Sequence, residues 1–452
     1  MQSVKERKQQ GKTYRKITPR SELGLWKTET GRSLVREVLL EQESTRQPEL
    51  IPVRRERMAV SPFAFFRGMA ALQAHDIFIT PGTSFQVQAC GDAHLSNFGI
   101  FASPERRMVF DINDFDETLP APFEVDIKRL AASIEICGRC RNFPKHLREE
   151  AVFAAAACYR NAMSDFSDMG NMEVWYRHLD LERLMADKSR FDDRAQAKRM
   201  RDAVDRAVSK NSDLAMKKLT ETVDGKLRIK SDPPFIIPIR DMVREEKELY
   251  DFRYGVLKAI EIYKESLPTE RRSLIARYEP VEMALKVVGV GSIGRKAWVL
   301  VLMGRENGDP LVLQIKEAEN SVLEKYYGLS SYTGCGRRVE EGQRAIQTAG
   351  DILLGWARLK LADGRTGDYY VRQLWDAKGA FNPETITRDS FKGLSELCAW
   401  TLAHAHAKTG DRHAVAGYLG KSDAFDNAMV NYAYAYADQN EADYETFLKM
   451  NG

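Results

Sequence analysis

Hydrophobic and polar positions change period several times along the chain, and each change predicts an element. Up to residue 50 charge dominates without a sustained pattern, which predicts an arm or a peripheral helix. Ser61-Pro62 suits an N-cap followed by the first helical position, leading into a helix through 70–77. Phe85, Val87 and Ala89 then alternate on one face of a strand, and 107–112 is a second apolar strand. A polar turn over 91–97 lies between them, and Asn97 leads back into a strand. Val125, Leu130, Ala131 and Ile134 recur at roughly helical spacing over 124–142. The stretch from 144 to 275 reads as mostly helical and heavily charged, with a break at Ser231-Asp232-Pro233-Pro234.

The texture changes near residue 280. Apolar, β-branched runs at 284–290, 297–303 and 311–315, separated by glycine-rich or polar turns, predict an antiparallel sheet. A helix follows over 337–349, then a strand over 369–374. A long helix spans 391–408, with Leu394, Leu397, Cys398, Thr401, Leu402 and Ala405 on one side and Gly410 as its stop. The tail from 425 to 448 is aromatic and helical.

Composition narrows the class. The 452 residues carry 68 Lys+Arg against 65 Asp+Glu, and 43% are hydrophobic, as in a soluble globular protein. The net charge of +3 lacks the basic excess of a dedicated nucleic-acid binder, so no nucleic-acid partner is expected. No run approaches the ~18 apolar residues of a membrane span, and the basic start has no apolar core behind it, so a cytoplasmic protein without a membrane partner is expected. Cys137 and Cys140 have a metal-like spacing but no second pair to close a zinc site.

Four segments carry chemistry. In Gly91-Asp92-Ala93-His94-Leu95-Ser96-Asn97, an Asp that orients a hydroxyl and an Asn that holds a divalent ion would serve phosphoryl transfer. The same residues are also ordinary turn formers. Asp111, Asp114, Asp116 and Glu117 crowd the end of a strand, and a hard cation such as Mg would relieve their repulsion. Gly289-Val290-Gly291-Ser292-Ile293-Gly294 has dinucleotide-site spacing, yet a strand follows instead of a helix, which makes it a glycine-turned hairpin able to cover a nucleotide. Lys316 ends an apolar strand, where it could hold phosphates and pair with Glu340 or Glu341 of the next helix. Arg67 could reach a phosphate or form a structural salt bridge. His404 and His406 lie on different faces of the long helix and are not expected to form a metal pair.

The segments 61–68, 91–99, 113–117, 289–294, 314–318 and 342–343 resemble the bacterial family labelled domain of unknown function 2252. The 91–97 segment also resembles the catalytic loop of aminoglycoside and choline phosphotransferases, within the protein-kinase-like superfamily. That resemblance implies an ATP- and Mg-dependent phosphotransferase with an α+β, bilobal fold, acting on a small-molecule acceptor. Asp92 would be the base and His94 would brace the loop or contact phosphate. Asn97, Asp114 and Asp116 would bind the metal, with Asp114 the main carboxylate because its spacing from Asp126 suits the phosphotransferase pattern better than that of Asp111. Gly289, Gly291, Ser292 and Gly294 would cover the nucleotide, and Lys316 would hold its phosphates with Glu341 as partner. Because the Asp–Asn loop precedes the glycine hairpin by about 200 residues, the fold would be circularly permuted, which requires residues near 410 to lie close to residues near 85.

The parts would then be an N-terminal arm (1–50), catalytic and metal loops (51–143), a helical segment (144–279), a sheet with the glycine loop (280–378) and closing helices (379–452). Nucleotidyl (AMP) transfer by the same fold, or nucleotide binding without turnover, are the competing expectations. Oligomeric state is not legible.

Overall fold

The computed structural model describes residues 2–27, 34–182, 201–202, 204–209, 212–242, 246–287, 293–305, 308–360, 366–374, 377–380 and 382–451. Among these, the architecture is mixed α+β with antiparallel sheets. The largest sheet has six strands in the order Gly355–Lys360, Thr366–Gln373, Pro310–Glu317, Ala297–Met303, Glu279–Lys286 and Ile236–Pro238. The central strand Ala297–Met303 lacks a polar face because both faces are covered. Leu300, Leu302, Leu311 and Leu313 pack with Ile260 and Tyr263 of helix Glu246–Ser266. Val299, Val301 and Val312 pack on the other face with Ala215, Met216 and Leu219 of helix Ser212–Leu219. Glu279–Lys286 and Ala297–Met303 pair antiparallel, so the glycine-rich turn joins two strands and no helix follows it.

The stretch expected to be mostly helical also holds an antiparallel pair, Thr220–Val223 with Lys226–Ile229. Asp224 (φ 49°) and Gly225 (φ 73°) form its turn, and a two-residue Asp-Gly hairpin favours positive φ at both positions. Ser61 caps a helix as expected, its Oγ accepting the Ala64 N–H at 3.1 Å. That helix, however, is the short Pro62–Gly68, and a separate one runs from Ala70 to Phe78.

Two further sheets hold the chemistry-bearing loops. One has four strands, Gly379–Ala380, Phe98–Ala102, Met108–Ile112 and Leu179–Asp180; the other pairs Gln86–Ala89 with Leu119–Pro122. The largest apolar core joins distant parts of the chain: Phe98, Phe110, Phe123 and Ile127 are buried with Leu402, Tyr418, Phe425 and Met429. Helix Arg388–Thr409 lies along helix Lys145–Asp168 and ends against strand Gln86–Ala89. There the Gln88 N–H donates to Thr409 Oγ1 at 3.1 Å, and a Cβ on Gly410 would stand 2.6 Å from Val87 Cγ1. Residues near 410 are thus in contact with residues near 85.

The N-terminal segment forms two helices that dock rather than a free arm. Val4–Tyr14 packs on Arg412–Leu419, where Arg7 grips Asp411 with two hydrogen bonds of 2.8 and 2.7 Å. Leu34–Glu43 buries Val35, Val38 and Leu39 against Phe65, Leu72 and Phe447. Among the described residues no helix is long and apolar enough to cross a membrane.

Candidate functional site

Strand Gln86–Ala89 delivers the turn at 91–97, whose backbone is held from below by a buried carboxylate. Asp126, in the first turn of helix Glu124–Cys140, accepts the N–H groups of Cys90 at 2.8 Å and Gly91 at 3.0 Å. His406 Nε2 lies 3.1 Å from the same carboxylate, and its Nδ1 is 2.8 Å from the Tyr159 hydroxyl. Tyr159, His406 and Asp126 therefore form a buried chain, drawn from three helices, that leads to the turn. Gly91 adopts φ 82°, and a Cβ there would fall 2.2 Å from the Glu117 carbonyl oxygen, so glycine lets the two loops touch.

Asp92 emerges from this support with its side chain 19% exposed. Arg129 Nε donates to its Oδ1 at 2.8 Å, and Asn97 Nδ2 donates to its backbone oxygen at 2.7 Å. Burial raises the Asp92 carboxyl above its ordinary value, against the opposing pull of Arg129 and Arg67. His94 is buried; its Nδ1 accepts the Ser96 N–H at 3.2 Å and its Nε2 stands 3.6 Å from Asp92 Oδ2. Burial, with Arg67 and Arg129 nearby, drives the imidazole well below its ordinary value, so it is neutral, and the Ser96 bond puts its proton on Nε2. These contacts give His94 a bracing role in the turn.

The acidic segment separates into two kinds of residue. Asp111 accepts the N–H groups of Thr348 at 2.7 Å and Ile112 at 2.8 Å, and Glu117 accepts that of Val322 at 2.7 Å. Both fix backbone. Asp114 and Asp116, and Glu117 with them, line the cleft that Asp92, His94 and Asn97 also line, a space of about 680 Å³ open to solvent. Asp116 accepts Lys316 Nζ at 2.8 Å and the Tyr370 hydroxyl at 2.5 Å. Burial opposes its ionisation, but Lys316 and Arg295 outweigh that and hold it well below the carboxylate range. Asp114 is raised by burial and by repulsion from Asp116. Lys316 remains charged despite burial because Asp116, Tyr370 and Asp114 surround it.

Glu341 is not brought to Lys316. It pairs with Arg337 at 3.3 Å on the outer face of helix Cys335–Ile346, while Glu340 pairs with Arg344. The inward position is taken by Arg338, which donates to the carbonyl oxygens of Thr118 at 2.7 Å and of Asp116 and Glu319 at 2.8 Å. This helix therefore grips the backbone of the acidic loop, and the partner of Lys316 comes from that loop. Gly289, Gly291 and Ser292 lie outside the described residues. Gly294 (φ 90°) closes the hairpin beneath the N-terminal segment: its carbonyl oxygen accepts the Gln47 N–H at 2.9 Å, and Arg46 donates to the Ile293 carbonyl.

A divalent ion fits the donor set in a limited way. Among the described residues no group of three or more His, Cys, Asp or Glu side chains is placed to hold a metal alone. Mg commonly takes one or two carboxylates and completes its shell with water and substrate phosphates. Asp114 and Asp116 supply that pair. Asn97, whose amide nitrogen is engaged by Asp92, offers its oxygen.

Sequence reasoning missed Arg129, Arg338, Tyr370 and the supporting role of His406. No local motif marks the first three; for His406, the signal was its place near the end of the helix that must abut the Asp–Asn turn. No curated protein and no solved structure matches the chain. A family model does, over residues 46–450, and the chain belongs to that family, DUF2252, described as an uncharacterized protein conserved in bacteria.

Proposed function

We propose that the protein is a nucleotide-dependent phosphotransferase, moving the γ-phosphoryl group of ATP to the hydroxyl of a small-molecule acceptor, on a circularly permuted kinase-like fold. One observation carries this reading: Asp92, Asn97, Asp114 and Asp116 line one cleft, and behind it Asp116 is ion-paired to the buried Lys316, 200 residues away in the chain. A solvated acidic loop has no need of a buried lysine, and a turn-forming Asp has no need of Arg129 and a braced histidine. The contact between residues 88 and 409 supports the permuted order, because the helix that would precede the catalytic turn does abut it.

Asp92 accepts the proton of the acceptor hydroxyl as its oxygen bonds to the γ-phosphorus and the bond to the β–γ bridging oxygen breaks, releasing ADP. Arg129 fixes the rotamer of Asp92, and the raised affinity of that carboxyl for protons suits a base. Lys316 neutralises charge on the transferring group, and Asp114, Asp116 and Asn97 would hold Mg, which would offset the charge of the phosphates. Nucleotidyl transfer remains the competing outcome. ATP labelled at the γ or the α position, incubated with Mg and a bacterial metabolite extract, separates the two. The γ-label should move to a small molecule, and neither label should move with Asp92→Asn. Transfer of the α-label alone would refute phosphoryl transfer.

A further inference from the structure

Three arginines line the cleft, and two of them, Arg46 and Arg295, sit at the Gly294 turn of the six-stranded sheet, while Arg67 stands apart from them. Lys316, Arg295 and the Gly294 turn come from or flank that sheet. Arg67 comes from helix Pro62–Gly68, beside Asp92 and Arg129, and Arg46 and Gln42 come from the N-terminal segment; all three line the same cleft. Arg295 is paired with Glu319 at 2.8 Å. Among the described residues Arg46 donates only to neutral carbonyls, those of Ile293 and Gln42. Arg67 Nε is buried and has no hydrogen-bond partner among the described residues. Asp92 and Asp114 are near enough to bear on Arg67, yet neither is bonded to it. A buried guanidinium nitrogen left without an acceptor is costly, and a planar fork of this kind matches a carboxylate or a phosphate.

We propose that the acceptor carries an anionic group, a carboxylate or a phosphate, that docks on Arg67, so that its hydroxyl is presented to the neighbouring Asp92. The proposal rests on the phosphotransferase reading and adds the substrate class. The N-terminal segment contributes Gln42 and Arg46 to the lining of the cleft while tying down the Gly294 turn. The nucleotide's own phosphates are the competing occupant of Arg67.

The test uses the full chain saturated with Mg and a non-hydrolysable ATP analogue, into which inorganic phosphate and, separately, acetate are titrated calorimetrically. At least one of these anions should bind the wild type. Arg67→Ala should weaken that binding at least tenfold while the affinity for the analogue stays within about twofold, and Arg67→Lys, which keeps the charge but not the fork, should fall between. If Arg67→Ala does not fold, Arg67→Lys alone still reads the effect. Anion binding that is absent in the wild type or unchanged in the variants overturns the proposal. A parallel loss of analogue affinity also overturns it, by assigning Arg67 to the nucleotide. Failure of the wild type to bind the analogue at all refutes the phosphotransferase reading instead, and anion titration into the protein alone then shows whether Arg67 holds an anion independently.

Discussion

Lys378 and Asp92 show how burial sets the chemistry of single residues in and around this cleft. Lys378 Nζ faces the Asn113 carbonyl oxygen at 3.5 Å, and burial, with Arg372 beside it, brings its ammonium down to about 7. An unfolded lysine titrates near 10.4, so between those values the unfolded chain binds more protons than the native one. Stability should therefore rise as pH increases from 7 toward 10 through this group, and it is lost as pH falls through that window. Thermal melts of wild type and Lys378→Met should show a shallower pH slope in the variant; parallel slopes would contradict the assignment. Asp92→Asn keeps the shape of the turn but removes the base, and should lower the transfer rate by about 10²–10⁴-fold. Lys316→Met leaves Asp116 buried without its cation, which should cost about 3–5 kcal/mol of stability, read from denaturant melts.

At the scale of elements, the site depends on how helices hold two loops that the sequence alone marks as polar. Asp126 satisfies two backbone N–H groups and His406 at once. Asp126→Ala strands all three in the core, and the loss should be about 3–5 kcal/mol, with the transfer rate falling more than analogue affinity because the Asp92 turn loosens. An unchanged melting temperature would refute this support. Helix Cys335–Ile346 marks the limit of sequence reasoning. Its glutamates at 340 and 341 suggested a partner for Lys316, but the helix turns Arg338 inward and Glu341 outward, a matter of rotation about its axis that residue types leave open. The strands near 300 were legible because their apolar runs are long. The hairpin at 220–229 was hidden in a charged stretch, although Asp224-Gly225 is a hairpin signal. The resemblance already favoured Asp114 over Asp111 through its spacing from Asp126, but only the structure shows what Asp111 does instead, accepting the Thr348 N–H.

At the scale of the molecule, the largest core is built from both ends of the chain. Phe123 packs against Tyr418 and Phe425, and helix Arg388–Thr409 lies along helix Lys145–Asp168. A chain ending at residue 279 would expose that core and lose the Thr409 contact to strand Gln86–Ala89, so it should lack a cooperative unfolding transition by calorimetry. The contact between residues near 410 and near 85 was an expectation from loop order alone, and it is present. The central claim is that this contact and the cleft beside it make a phosphoryl-transfer site. ³¹P NMR of the wild-type protein with Mg, ATP and a bacterial metabolite extract tests it most directly. Growth of ADP signals together with a new phosphoester resonance, both absent with Asp92→Asn, is the predicted result. Pyrophosphate release without ADP, or an ATP spectrum that never changes, would contradict it.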